Sequence, residues 1–165
     1  MLFSTAFDRD GEKDTTAVLK AGYIYNIAKL IDWKDAERKQ GNFVIGIMSE
    51  SNLYQELIKK YSNKSIGKQP IEIRKMARSA NIGKAHILYV PRNALDLMPD
   101  IYMNTKNTGT LVVTDYPGAL MDGASVNFIM VNNTLNFELN VASAKAQGLQ
   151  VGATLKQLAH RVEDQ

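Results

Sequence analysis

The chain has no cysteine, which excludes disulfides, thiol nucleophiles and cysteine-ligated zinc. Compartment stays open on that ground, because a disulfide-free protein is stable in either redox setting. No apolar run approaches the ~18 residues of a membrane span. Blocks of like charge are missing too: the net charge of +3 arises from 20 basic and 17 acidic residues scattered along the chain. A nucleic-acid footprint would gather basic residues and aromatics on one face; the densest group, Lys59, Lys60, Lys64 and Lys68, reads instead as a solvated helix end and its loop. Only His86 and His160 supply imidazole, and no helix carries the H-E-x-x-H type of metal spacing. Neither G-x-G-x-x-G nor Gly-Lys-Ser follows the first apolar strand, so the standard nucleotide loops are absent. These absences lead to an expectation of no metal, no cofactor, no nucleic-acid partner and no insertion into a membrane.

What remains is ordinary globular material, 45% hydrophobic and 22% charged over 165 residues, enough for one domain that buries roughly two-thirds of its unfolded surface. Residues 1–14, MLFSTAFDRDGEKD, are too polar and too short for a complete signal peptide, although Ser4-Thr5-Ala6 has the small-residue pattern of a cleavage site. They are assigned as a flexible arm or signal-peptide remnant, with one domain over 15–165.

Apolar residues recur at helical spacing from Thr16 to Trp33, with Asp14 or Thr15 placed to cap the start and Lys20, Asn26 and Lys29 directed to water. Phe43–Met48 is a near-continuous apolar run, as in a strand covered on both faces, and Leu53, Leu57 and Tyr61 mark a helix after it. The alternation continues through a strand around Ile71 and Ile73, a short helix over Ser79–Lys84, the strand His86–Val90, a helix from Leu95 to Lys106 broken by Pro99, and the strand Thr110–Thr114. Ser125–Val131 and Thr134–Asn140 flank Asn132-Asn133, a pair suited to a tight hairpin turn. Asn140 is placed to cap a helix over 142–147 that Gly148 ends, and Ala153–Val162 reads as a final helix with His160 on its face. The fold class is therefore α/β: one compact domain, a mainly parallel sheet flanked by helices, and a C-terminal antiparallel hairpin.

Ligands of open α/β sheets bind where the parallel strands end. The candidate ligand-binding residues are Ser49, Glu50, Arg92, Asn93, Asp115 and Tyr116, with caps and turns as the competing explanation for Asn93 and Asp115. On the hairpin, Asn136, Glu138 and Asn140 alternate with Leu135, Phe137 and Leu139. That pattern sets Glu138 on the exposed face, where it can pair with a cation across the hairpin or serve as a candidate partner contact. No catalytic residue is nominated, since no second acid or base is fixed near any candidate.

Taken in order, several stretches resemble the YfiR-like (YfiR/HmsC-like) family of periplasmic regulators: Lys20–Trp33, Phe43–Met48, Gly67–Ile73, His86–Val90, Gly123–Ile129, Phe137–Asn140, Ala144–Leu149 and Leu155–Ala159. The resemblance implies an exported periplasmic protein whose signal peptide is absent from this chain. It implies no catalytic residues, a homodimer, and a partner in the periplasmic part of an inner-membrane diguanylate cyclase that is held inactive, lowering cyclic di-GMP and biofilm formation. The alternative it leaves is an extracytoplasmic small-solute sensing module coupled to a sensor kinase or other membrane signalling protein, with a pocket lined by Ser49, Arg92 and Asp115. A cysteine often precedes the family's strand histidine; Ala85 stands there, so redox control by that route is excluded.

Overall fold

The computed structural model describes residues 14–78 and 82–165. Residues 1–13 of the assigned arm, and 79–81 of the expected short helix, lie outside the described residues; Ile82–Lys84 form a 3-10 turn.

The chain opens with α1 (Thr15–Leu30). Asp14 is its cap, its carboxylate accepting the Ala17 amide at 3.0 Å, which satisfies one of the free donors of the first turn. The helix ends at Leu30 rather than running on to Trp33, because Ile31 turns extended and β1 (Ile31–Asp32) pairs antiparallel with β9 (Gln150–Val151). The buried stripe is Ala17, Ala21, Ile24, Ile27 and Ala28, leaving Leu19 exposed.

A strand-helix alternation builds the main sheet: β2 (Phe43–Met48), α2 (Ser51–Tyr61), a two-residue strand β3 (Ser65–Ile66), β4 (Gln69–Met76), β5 (Ile87–Val90), α3 (Met98–Thr105) and β6 (Leu111–Thr114). Strands β2, β4, β5 and β6 are mutually parallel. Pro99 does not break α3: it occupies the first turn, where its missing N–H is not needed, and a 3-10 segment over Arg92–Leu97 precedes it. The hairpin β7 (Val126–Val131) and β8 (Thr134–Asn140) follows in antiparallel register. Its turn residues Asn132 and Asn133 have φ of 51° and 61°, the positive angles that suit a right-twisted two-residue connection. Asn140 then caps α4 (Val141–Ala146) by accepting the Ser143 amide at 3.0 Å, and Gly148 leaves that helix at φ 86°.

The C-terminal segment departs from expectation. Helix α5 covers only Ala153–Leu158, and Arg161–Glu163 form β10, parallel to β8 at the sheet margin. His160 thus lies on no helix face; its amide donates to the Phe137 carbonyl at 2.8 Å. The large sheet runs β10-β8-β7-β6-β5-β2-β4-β3, so the hairpin is followed by one more strand instead of closing that side.

Alternate strand residues feed two cores, as the period of two requires. Phe43, Ile45, Ile47, Ile87, Tyr89, Leu111 and Val113 pack with α1, α2 and α5 on one face. Met48, Leu88, Val90 and Val112 pack with α3 and the 3-10 segments on the other.

Candidate functional site

The order in which strands are added reverses between β2 and β5: β4 lies to one side of β2 and β5 to the other. Such a switch point parts the loops at the carboxyl ends of the strands, and there α1 delivers a cation. Lys20 lies three residues after Ala17 and four before Ile24, on the buried stripe. Its Nζ donates to Asp115 Oδ2 at 2.7 Å and to the Tyr89 phenol oxygen at 3.1 Å. The Tyr89 phenol donates to the same Oδ2 at 2.5 Å, and Asp115 Oδ1 accepts the Arg92 amide at 3.1 Å. The expectation that Lys20 seeks water is thus corrected: its side chain is 12% exposed and that of Asp115 17%.

This network is largely self-satisfied. Asp115 accepts three donors from three elements, and its bond to the Arg92 amide serves a first free donor of the Arg92–Leu97 turn, so the capping explanation holds across strands. Burial, then the neighbouring Asp115, pushes the Tyr89 phenol well above the usual tyrosine range. Glu50 sits half-buried beside the network; burial holds its carboxyl above the usual range, Lys20 opposes that, and Asp115 and Asp14 add to it. Asp14 is held low by the Ala17 amide and by Asn52, whose Nδ2 donates to it at 2.9 Å.

Among the described residues, Ser49, Glu50, Asp115 and Tyr116 line two separate hollows. Ser49, at φ 48°, and Glu50 line a hollow of about 450 Å³ with Tyr54, Lys75 and Met76. Asp115 and Tyr116 line another of about 360 Å³ with Lys20, Phe128, Met130 and Leu135. Arg92 and Asn93 are exposed and belong to neither wall; the Asn93 carbonyl accepts from Arg78 at 3.2 Å. The Tyr116 phenol turns to the other core, donating to Asp122 at 2.9 Å, with burial and then Asp122 raising it above the usual range. Of the expected Ser49–Arg92–Asp115 set, Ser49 and Asp115 thus line separate hollows among the described residues, and Lys20 bonds to Asp115 at the second.

Glu138 is also corrected. It is 7% exposed, not presented to solvent. Its Oε1 accepts from Asn127 Nδ2 at 2.9 Å and its Oε2 from Arg161 at 2.7 Å. Asn127 Oδ1 in turn accepts from the Thr114 hydroxyl at 2.8 Å and the Tyr116 amide at 3.1 Å. A polar file therefore runs from the strand-end loop to the sheet margin, and Arg161 on β10 is what covers Glu138.

The opposite end of the sheet holds the core histidine. His86 is 3% exposed; Nδ1 accepts the Val44 amide at 3.0 Å, which places the proton on Nε2, 2.7 Å from the Arg38 carbonyl. Burial lowers its pKa to about 4, the Arg38 carbonyl bond opposing and the guanidinium adding to the shift. Around it, Trp33 Nε1 donates to the Gly109 carbonyl at 2.7 Å, Arg38 to the Ala85 and Gly109 carbonyls at 2.7 and 3.2 Å, and Gln69 to the Arg38 carbonyl at 2.8 Å.

Lys20, Tyr89 and Asn127 escaped sequence-based nomination. Only Lys20 carried a signal, its place in the helical stripe; Tyr89 and Asn127 look like ordinary strand residues until the sheet order brings Asp115 and Glu138 to them.

The fold is a single α/β domain with helices flanking a mixed sheet, and its strand-end charges are tied to one another. Residues 17–160 match the YfiR/HmsC-like family model, and the chain belongs to that family. No curated protein matches it in sequence.

Proposed function

We propose that this chain is a non-enzymatic periplasmic regulator that binds the extracytoplasmic part of an inner-membrane diguanylate cyclase and represses it, thereby limiting cyclic di-GMP and biofilm formation. Membership of the YfiR/HmsC-like family over residues 17–160 carries this reading. It is supported by the strand ends, where the charged groups satisfy one another, and by the described helices, none of which is long and apolar enough to cross a membrane. A partner approaching the hairpin near Glu138 meets Arg161 first. The test is capture by the purified chain of the periplasmic domain of a cyclase encoded beside its gene, together with cyclic di-GMP levels after gene deletion. Retention of the domain and a rise in cyclic di-GMP are expected. A domain that flows through, with unchanged cyclic di-GMP, removes the proposal.

A second reading, a small-solute sensing module coupled to a membrane kinase, draws on the hollow of about 360 Å³ in which Phe128 and Leu135 flank the Lys20–Asp115 pair. A solute that raises the melting temperature should lose its effect in Met130→Asp, a substitution at a lining side chain that is 58% exposed. A shift that persists in this variant eliminates the hollow as the sensing site.

A further inference from the structure

Strand β4 pairs with β2 from Phe43 opposite Ile71 to Met48 opposite Met76. On its other side β3 covers only Gln69 and Pro70, and the Ile71 amide donates to the Lys64 carbonyl at 3.0 Å. Among the described residues no strand pairs with the outer side of residues 72–76. The backbone groups of a strand point to its two sides in alternation. Since the Ile71 amide points outward, the N–H and C=O groups of Ile73 and Lys75 point outward as well, a template for one more strand.

This edge is strongly basic. Residues 64–78 hold Lys64, Lys68, Arg74, Lys75 and Arg78 against the single acid Glu72, a net charge of +4 where the whole chain has +3. All five cations are exposed. Glu72 is taken up by Arg74 and by Asn42, and Arg78 pairs with Asp96. Lys64, Lys68 and Lys75 have no carboxylate partner among the described residues. The Lys75 ammonium lies 5.0 Å from the centre of the Tyr54 ring, beside the hollow of about 450 Å³ at the carboxyl end of the edge.

Charged side chains on an edge guard it against unwanted pairing. Here the guard is selective: two such basic edges repel each other, whereas an acidic strand meets opposite charge as well as unpaired backbone. In that arrangement acidic residues lie across from Arg74 and Lys75, and an apolar residue lies across from Ile73. An anionic lipid surface would answer the lysines but leave the outward amides of Ile73 and Lys75 unused, so the backbone favours a polypeptide.

We propose that the β4 edge binds an extended acidic segment of another protein as an added strand. This goes beyond the cyclase reading: it assigns a surface and a partner chemistry, and it holds whichever protein carries the segment.

The probe is the end-blocked, dye-labelled peptide Thr-Glu-Glu-Val-Thr-Val, titrated with the full chain and followed by fluorescence anisotropy. Saturable binding that weakens as salt rises is expected, with no binding of Thr-Lys-Lys-Val-Thr-Val. Lys75→Glu should weaken the affinity about fivefold to tenfold, while Lys156→Glu, at an exposed lysine of α5, should leave it unchanged. With the acidic peptide bound, hydrogen exchange at the Ile73 and Lys75 amides should slow. The proposal is overturned if the acidic peptide does not bind, if the two peptides bind alike, if Lys75→Glu is no worse than Lys156→Glu, or if exchange at Ile73 and Lys75 is unaffected. Capture of phosphatidylglycerol vesicles without capture of the peptide also overturns it and makes the edge a contact for anionic lipid.

Discussion

The two ends of the parallel strands solve opposite problems. At the amino ends, Trp33, Arg38, Gln69 and His86 all bond to backbone, closing off carbonyls and amides that the sheet leaves free. At the carboxyl ends, Lys20, Tyr89 and Asp115 bond chiefly to one another, and hollows remain on either side. One end is tied to its own main chain and the other is held side chain to side chain; hollows open at both, the amino-end one of about 320 Å³ being lined by Trp33, Phe43 and Gln69. The backbone bonds at the first end are expected to contribute more to stability than the side-chain network at the second.

Trp33→Ala tests this contrast most severely. It removes a ring packed edge-on against Phe43 at 4.9 Å and takes one of two donors, leaving Arg38, from the Gly109 carbonyl, so urea melts should show a loss of about 3–5 kcal/mol. The next effect is a pH dependence. His86 is neutral in the folded chain, with a pKa of about 4 against an ordinary 6.5. Below 6.5 the unfolded chain takes up a proton that the folded one refuses. The stabilisation is therefore complete above neutrality and is lost as pH falls toward 4, by roughly 3 kcal/mol in all. Urea midpoints of the parent chain and of His86→Gln over this range should converge at acid pH, and parallel curves would contradict the assignment.

At the carboxyl end, Asp115→Ala leaves Lys20 sheltered without its carboxylate and the Arg92 amide without its acceptor. A loss of about 2–3 kcal/mol is expected in the same melts. Tyr89→Phe should cost least, about 1 kcal/mol, because Asp115 keeps Lys20 and the Arg92 amide. If Asp115→Ala proves as costly as Trp33→Ala, the carboxyl end contributes as much to stability and the contrast fails.

Much of this molecule is legible from apolar period and turn chemistry. The runs Phe43–Met48 and Thr110–Thr114, the Asn132-Asn133 turn and the Asn140 and Gly148 caps each carry a local reason for their conformation, and each forms as that reason dictates. What escaped depends on neighbours distant in sequence. Strand β10 is three residues of mixed polarity, so only pairing with β8 makes it a strand. Glu138 alternates as a surface residue should, yet Asn127 and Arg161 enclose it. Lys20 shows the same limit at the site: a lysine on an apolar stripe is a misfit until Asp115, 95 residues away, meets it.

Trp33 is the only tryptophan of the chain, which gives the amino end its own optical reporter. An indole 5% exposed, bonded to a carbonyl and packed against Phe43, emits at short wavelength and shifts red when water reaches it. Fluorescence therefore reads the amino end by itself: a change confined to the strand-end hollows should leave the emission maximum fixed.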